Sequence, residues 1–232
     1  MFIQQALNAY KNIDILFENN DFIVVNKPHG MAVVKGRNRI DDIVLFDALL
    51  AIYKRLYLVH RLDAGTGGLM VLAKNKKFCL NLTREFEKHK VIKKYLCICD
   101  GILETPVTLM LPISKRNYKG LYKVNFKSGK KSITSFYPVA HYSGKSIVLA
   151  TPLTGRTHQI RVHLKSMKIP IIGDYIYNKG TVVDNQKKIP LYAFYLQFEK
   201  YSFQAKPSEY FFLMATKYNL DKILKQFYEK LP

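Results

Sequence analysis

The segment His60-Arg61-Leu62-Asp63-Ala64-Gly65-Thr66-Gly67-Gly68 runs directly into Leu69-Met70-Val71-Leu72-Ala73. Consecutive apolar residues behind a glycine-rich turn read as a strand buried on both faces. The turn in front of it then lies at a strand edge, and it carries a carboxylate. In a chain with 37 Lys+Arg against 17 Asp+Glu, an acid in that place has two readings. As a turn residue, Asp63 bonds neighbouring backbone N–H groups. As a functional group, it faces a pocket with its charge held by nearby cations. The local pattern leaves both open.

A second segment has the same build. The apolar run Ser146-Ile147-Val148-Leu149-Ala150 ends at Thr151-Pro152-Leu153-Thr154-Gly155, and a helix is expected to open near Thr157. Its first turns carry Arg156, His158, Gln159, Arg161 and His163, with Ile160 and Leu164 spaced i, i+4 as the apolar anchor. A strand–turn–helix of this kind holds hydrogen-bond donors on a rigid element, and a helix N-terminus favours anions. The plainer reading is a solvated basic helix face.

HRLDAGTGGLMVLAK resembles the signature around the catalytic aspartate of the RluA-type pseudouridine synthases, usually HRLD-x-x-T-S-G-L, and GRTHQIRVHL resembles that family's second hallmark. Three shorter matches follow the family's order. Asn26-Lys27-Pro28-His29-Gly30 resembles its NKP-x-G element. Lys94-Tyr95-Leu96 resembles part of its K-x-Y-L element, and Ile172-Gly173-Asp174-Tyr175-Ile176-Tyr177 its IGD-x-x-Y element. The resemblance spans roughly residues 13–215. It implies a bent, mainly antiparallel sheet with flanking helices and a central active-site cleft. It implies Asp63 as the essential aspartate, Arg161 as its arginine partner, and Tyr95 as the active-site tyrosine that stacks on uracil. Gly67 stands where the family usually has Ser, which removes a hydroxyl near Asp63 and is expected to loosen the turn. Tyr192 stands where His is frequent, and Ser132 where Ala is common. Many members add an N-terminal S4 RNA-binding domain. With about a dozen residues before the core, residues 1–232 are expected to be a single catalytic domain without it.

Charge points the same way. A formal net charge of +20 implies a polyanionic partner, most often nucleic acid. Lys outnumbers Arg by 29 to 8, so part of that charge reflects a lysine bias. No apolar run approaches the roughly 18–20 residues of a membrane-spanning helix. The first residues, MFIQQALNAYKN, lack the apolar core of a secretory signal. The three cysteines, Cys79, Cys97 and Cys99, make neither a zinc pattern nor an even disulfide set. Cys97 and Cys99 alternate along a strand, and buried free thiols in a reducing cytoplasm are expected. No phosphate-binding glycine motif is present, so neither a cofactor nor a metal is expected.

Along the chain, residues 13–18 and 21–26 read as a hairpin turning at Asn19-Asn20. A helix is expected from Asp41-Asp42, with Val44, Leu45, Ala48, Leu49 and Ile52 at helical spacing. Strands are expected at 57–60, 69–73, 95–99, 133–140, 146–151 and 190–199. An amphipathic helix is expected over 75–90 on Phe78, Leu82 and Phe86, and a C-terminal helix capped by Asn219. Residues 114–131 contain no acid and interleave Lys115, Arg116, Lys119, Lys123, Lys127, Lys130 and Lys131 with Tyr118, Tyr122 and Phe126. This is either a solvated hairpin or an RNA-contacting arm. Strands dominate and about four helices intervene, which gives an α+β fold with an antiparallel or mixed sheet.

The chemistry implied by the resemblance isomerises uridine in RNA to pseudouridine. Asp63 acts ionised, by covalent attack or by proton abstraction. Arg161 offsets the cost of burying that carboxylate. Arg61, adjacent in sequence, would point away from Asp63 along a strand. Arg61, Arg156, His158, Lys115 and Arg116 are the expected RNA contacts, and His60 is structural or RNA-contacting. The target base must leave its stack, which favours a uridine in a loop or deformable stem of a structured ribosomal or transfer RNA. A monomer is expected. The rival reading is a non-catalytic RNA-binding or ribosome-assembly factor on the same fold.

Overall fold

Apolar runs of this sequence become strands of one large sheet, and its amphipathic stretches become the helices that cover it. The computed structural model describes residues 2–11, 13–36, 43–115, 121–178 and 188–230. Helix α1 (Phe2–Tyr10) precedes the expected hairpin, β1 (Asp14–Glu18) and β2 (Phe22–Lys27). Asn19 closes that hairpin by accepting on Oδ1 from the N–H groups of Asp21 and Phe22. Helix α2 (Leu45–Leu50) buries Leu45, Ala48 and Leu49, as its spacing requires; its expected start at Asp41-Asp42 lies outside the described residues. Next come β3 (Tyr57–Leu58), β4 (Gly67–Ala73) and α3 (Lys76–Glu87), the last capped by the Asn75 side chain accepting from Phe78 N–H. They are followed by β5 (Ile92–Asp100), β6 (Val107–Leu109), β7 (Ile113–Lys115), β8 (Tyr122–Val124), β9 (Thr134–Tyr142) and β10 (Lys145–Pro152). Helix α4 (Gln159–Ser166), β11 (Leu191–Phe198), β12 (Tyr201–Gln204), α5 (Glu209–Lys217) and α6 (Asp221–Glu229) complete the described chain.

Ten strands form one sheet in the order β1-β2-β4-β11-β5-β10-β9-β6, with β12 beside β11 and β3 beside β4; β7 and β8 pair separately. Among the described strands all pairings are antiparallel except β4 with β11, so the α+β expectation holds. The sheet is covered on both faces, and the period-two alternation sorts its residues into two cores. Tyr95, Cys97 and Cys99 share one core with Met70, Leu72, Leu62, Ile160 and Leu164, under α2 and α4. Leu96 and Ile98 share the other with Phe78, Leu82, Phe211, Met214 and Leu224, under α3, α5 and α6. Burial on both faces explains why β4 reads as an unbroken apolar run rather than an alternation.

Three expectations are corrected. The strand expected over 57–60 stops at Leu58, so Arg61 and Asp63 lie in a loop and strand alternation does not set their directions. The described residues hold six helices rather than about four: α1 precedes the first expected element, and α5 carries too little polar contrast between its faces to stand out. Asn219 does not cap α6, whose first residue follows Leu220 with no side-chain cap bond. It instead takes a left-handed φ of 59° and closes α5, with its N–H on Thr216 O and that of Leu220 on Ala215 O. Asn tolerates that conformation better than other side-chain-bearing residues do, so it serves as a helix stop.

Candidate active site

Asp63 sits in the loop leading into β4, and a second loop braces it. Thr66 N–H closes the turn on Asp63 O at 3.1 Å, and Gly30 N–H donates to Ala64 O at 2.9 Å. Lys27 is fully buried and its ammonium donates to Ala64 O, Pro28 O and Met31 O at 3.2, 2.9 and 2.7 Å. His29 donates from Nδ1–H to Gly65 O at 2.9 Å. The NKPHG turn therefore holds the backbone beside Asp63 at three points. Burial brings the pKa of Lys27 down to about 7, with the Asp63 charge opposing that shift, and brings His29 down to about 4.

The departure at Gly67 does not loosen this turn. A Cβ there would lie 2.5 Å from the His29 ring, so the imidazole occupies the space a serine would need. Gly68 is demanded twice over, by a φ of +113° and by Ala193 O, which a Cβ would approach to 2.3 Å where β4 meets β11. Tyr192 belongs to the same unit. Its ring stacks on His29 at 5.9 Å, and its hydroxyl donates to Asn26 Oδ1 at 3.1 Å. Ser132 is buried with its hydroxyl satisfied by Lys130 O.

The second segment supplies the partners from across the sheet. Helix α4 begins at Gln159, so Arg156 and His158 precede it rather than riding on its first turn. Gln159 ties this turn to the edge of β9. Its Oε1 accepts from the Thr154 hydroxyl and from Arg156 N–H, and its Nε2 donates to Ile133 O and Thr134 Oγ1. His158 holds a left-handed φ of 56°, a strained conformation for a residue with a side chain. There its Nε2 lies 3.7 Å from Asp63 Oδ2, and its Nδ1 pairs with the Tyr177 hydroxyl at 2.9 Å. Burial lowers its pKa, and the Asp63 charge only partly offsets this, which keeps the ring mainly neutral at ordinary pH.

Arg161, in the first turn of α4, joins two carboxylates. Its Nη1 donates to Asp63 Oδ2 at 3.0 Å, while Nε and Nη2 clasp Asp174 Oδ2 and Oδ1 at 2.7 and 2.8 Å. The Arg161 and Asp174 side chains are 2% and 0% exposed, whereas that of Asp63 keeps 26%. Asp174 Oδ1 also accepts from the N–H groups of Ile176 and Tyr177. Burial disfavours the guanidinium charge, but the hydrogen bonds and charge of Asp174, and then those of Asp63, outweigh it and push the Arg161 pKa upward. Asp174 thus orients a permanently charged fork whose remaining arm fixes the more exposed carboxylate.

These groups meet at a cleft of about 730 Å³ lined by Arg61, Asp63, Tyr95, Arg156, His158 and Arg161, among others. Six of the eight sequence-predicted residues therefore converge. Lys115 lies apart on β7, and Arg116 falls outside the described residues. Tyr95 is 9% exposed in the middle of the sheet, opposite Ala193 on one side and Ala150 on the other. Burial, aided by the Asp63 charge, pushes its pKa up and keeps the phenol protonated. His60 lines the cleft and braces its wall. It accepts Val71 N–H on Nε2, stacks on Phe86 at 4.8 Å, and is driven by burial to a pKa of about 3. Sequence reasoning assigned no role to Asp174, Tyr177, Lys27 or His29. One signal was available for the first: between Glu104 and Asp174 the chain has no acid at all.

Comparison with known proteins places the chain in a family. Residues 21–166 match the family described as RNA pseudouridylate synthase. The ribosomal large subunit pseudouridine synthase C of Buchnera aphidicola subsp. Baizongia pistaciae is 39% identical over 180 residues, which cover 75% of this chain and 57% of that protein. The chain thus spans a little over half the length of that relative. The dual-specificity RNA pseudouridine synthase RluA of Vibrio vulnificus is 34% identical over 192 residues, 80% of this chain and 77% of that protein. Among solved structures, human RNA pseudouridylate synthase domain containing 1 superposes with a TM-score of 0.71 at 27% identity, covering 96% of this chain and 97% of the other. The chain belongs to the RluA-type RNA pseudouridine synthase family.

Proposed function

We propose that this protein isomerises specific uridines in ribosomal or transfer RNA to pseudouridine, as a monomeric single domain in the cytoplasm. The observation that carries this reading is the Asp63–Arg161–Asp174 chain at the cleft, because RNA binding alone has no use for a carboxylate held ready beside a buried guanidinium. The relatives named for ribosomal large subunit RNA, and the one named for dual specificity, support a structured RNA as substrate.

In the reaction the N1–C1′ bond breaks, the uracil turns, and a C5–C1′ bond forms. The C5 proton leaves to solvent and N1 gains one, with no net redox change. Asp63 is the reacting carboxylate. Arg161 holds its orientation and its charge. Tyr95 stacks on the uracil and donates a hydrogen bond, consistent with a phenol kept protonated by burial. Arg61, Arg156 and His158 contact the RNA around the cleft, Lys115 contacts it further out, and Arg116 is the remaining RNA contact. Flipping the uridine out of its stack costs a few kcal/mol, which base stacking and phosphate contacts offset.

The test is tritium release from RNA labelled at uracil C5, drawn from cells lacking this protein. Wild type should release tritium and Asp63→Asn should release none while retaining RNA on a filter. No release by folded wild type from any RNA pool would instead favour the non-catalytic RNA-binding factor.

A further inference from the structure

Phe126 is 77% exposed, on a turn that is otherwise firmly built. Asn125 makes that turn. Its Oδ1 accepts from the N–H groups of Lys127 and Ser128, and its Nδ2 donates to the hydroxyls of Ser114 and Ser128. Its backbone N–H is held by Pro112 O, and its carbonyl accepts Gly129 N–H. Ile113 and Lys130 exchange both of their backbone hydrogen bonds just behind it. An isolated exposed aromatic is ordinary on a protein surface. Here, however, the backbone on both sides is pinned, so the ring is presented to solvent by the build of the turn and not by slack.

The surroundings are cationic. Lys123, Lys127, Lys130 and Lys131 are exposed, and no described carboxylate lies within ion-pair distance of them. From residue 105 to residue 173 the chain contains no Asp or Glu and twelve Lys or Arg. The turn is also tied to the cleft. Tyr122 packs its ring on His158 at 5.3 Å and donates its N–H to the Tyr177 hydroxyl, and Arg156 donates from Nε to Lys131 O. Phe126 lies four residue steps beyond Tyr122, a reach of at most about 14 Å.

We propose that the 125–128 turn is a stacking post for an unpaired nucleotide. The Phe126 ring takes a base on its face, and Lys123, Lys127 and Lys130 hold the adjoining phosphates. RNA is then gripped at a second point outside the cleft, by a contact that accepts any unstacked base and rejects a base locked in a duplex. The proposal rests on the reading of the cleft as an RNA site and adds to it a preference for single-stranded flanks.

The chain has no tryptophan, so Phe126→Trp gives the full-length protein one indole, at the site in question. Its fluorescence should be quenched by an unstructured oligouridylate, and not by heparin, a polyanion without bases, or by a fully paired RNA duplex. Phe126→Ala should bind oligouridylate about 5- to 150-fold more weakly with an unchanged salt slope. Lys127→Ala should flatten that slope by about 0.7, as expected when one fewer phosphate is neutralised on a single strand. The proposal is overturned if the indole stays unquenched while filter retention shows the RNA bound, if heparin quenches equally, or if Phe126→Ala binds like wild type. None of these readouts uses turnover. Failure of tritium release by wild type would therefore sink the synthase reading and leave the stacking result standing.

Discussion

Arg161 and Lys127 carry the same charge within one acid-free stretch of chain, yet the two regions around them are built on opposite rules. Around Arg161, charge is buried and matched. Arg161 is 2% exposed and contacts two carboxylates through three hydrogen bonds. At the 125–131 turn, charge is exposed and repeated, with no carboxylate partner among the described residues. A buried ion network gives rigid direction, because removing one member strands the others away from water. An exposed lysine cluster gives little direction, but it attracts phosphates at long range and is screened by salt. The first suits chemistry at one atom and the second suits holding a polymer.

Variants should separate the two regions by size of effect. Asp63→Asn should lower turnover by at least about a thousandfold, with RNA retention and thermal unfolding close to wild type; a fall in affinity in parallel would erase the distinction. Asp174→Ala should destabilise the fold by about 3–5 kcal/mol, seen as a lower urea midpoint, because it leaves Arg161 buried with half its partners. A midpoint unchanged from wild type would mean that Asp174 does not hold the fork.

The brace behind Asp63 predicts a pH effect of similar or smaller size. His29 titrates at about 4 in the folded protein against an ordinary 6.5, because burial disfavours its charged form. The unfolded chain therefore takes up a proton first as the pH falls. Stability from this group is complete above about pH 6.5 and declines toward pH 4, by about 3 kcal/mol in all. His29→Gln should flatten the stability profile across that window, and parallel profiles for the two proteins would show that His29 has no part in it. The smallest effect belongs to the rim. Arg156→Gln should weaken RNA retention modestly and reduce the salt slope by about 0.9 if the contact is to paired RNA. A turnover loss approaching that of Asp63→Asn would move Arg156 from the rim to the floor.

Much of the fold was legible because it is written in short-range patterns. The Asn19-Asn20 turn, the helical spacing of Leu45, Ala48 and Leu49, and the apolar run from Leu69 to Ala73 each depend on residues a few positions apart. Boundaries failed where one residue served either of two elements, as at Asn219, which stops α5 although it could as well have started α6. The expected meeting of Asp63 and Arg161, 98 residues apart, came from family resemblance and not from periodicity.

By itself the sequence determined the strand and helix alternation, the basic character of the surface, and the two motifs that hold Asp63 and Arg161. Tertiary structure alone decided that Asp174 is the anchor of Arg161, that His29 fills the space left by Gly67, and that Lys27 braces the loop of Asp63. The physical reason is one of range. Hydrophobic periodicity and turn chemistry act between near neighbours in the chain, whereas packing space and buried charge pairing are settled between segments that only folding brings into contact.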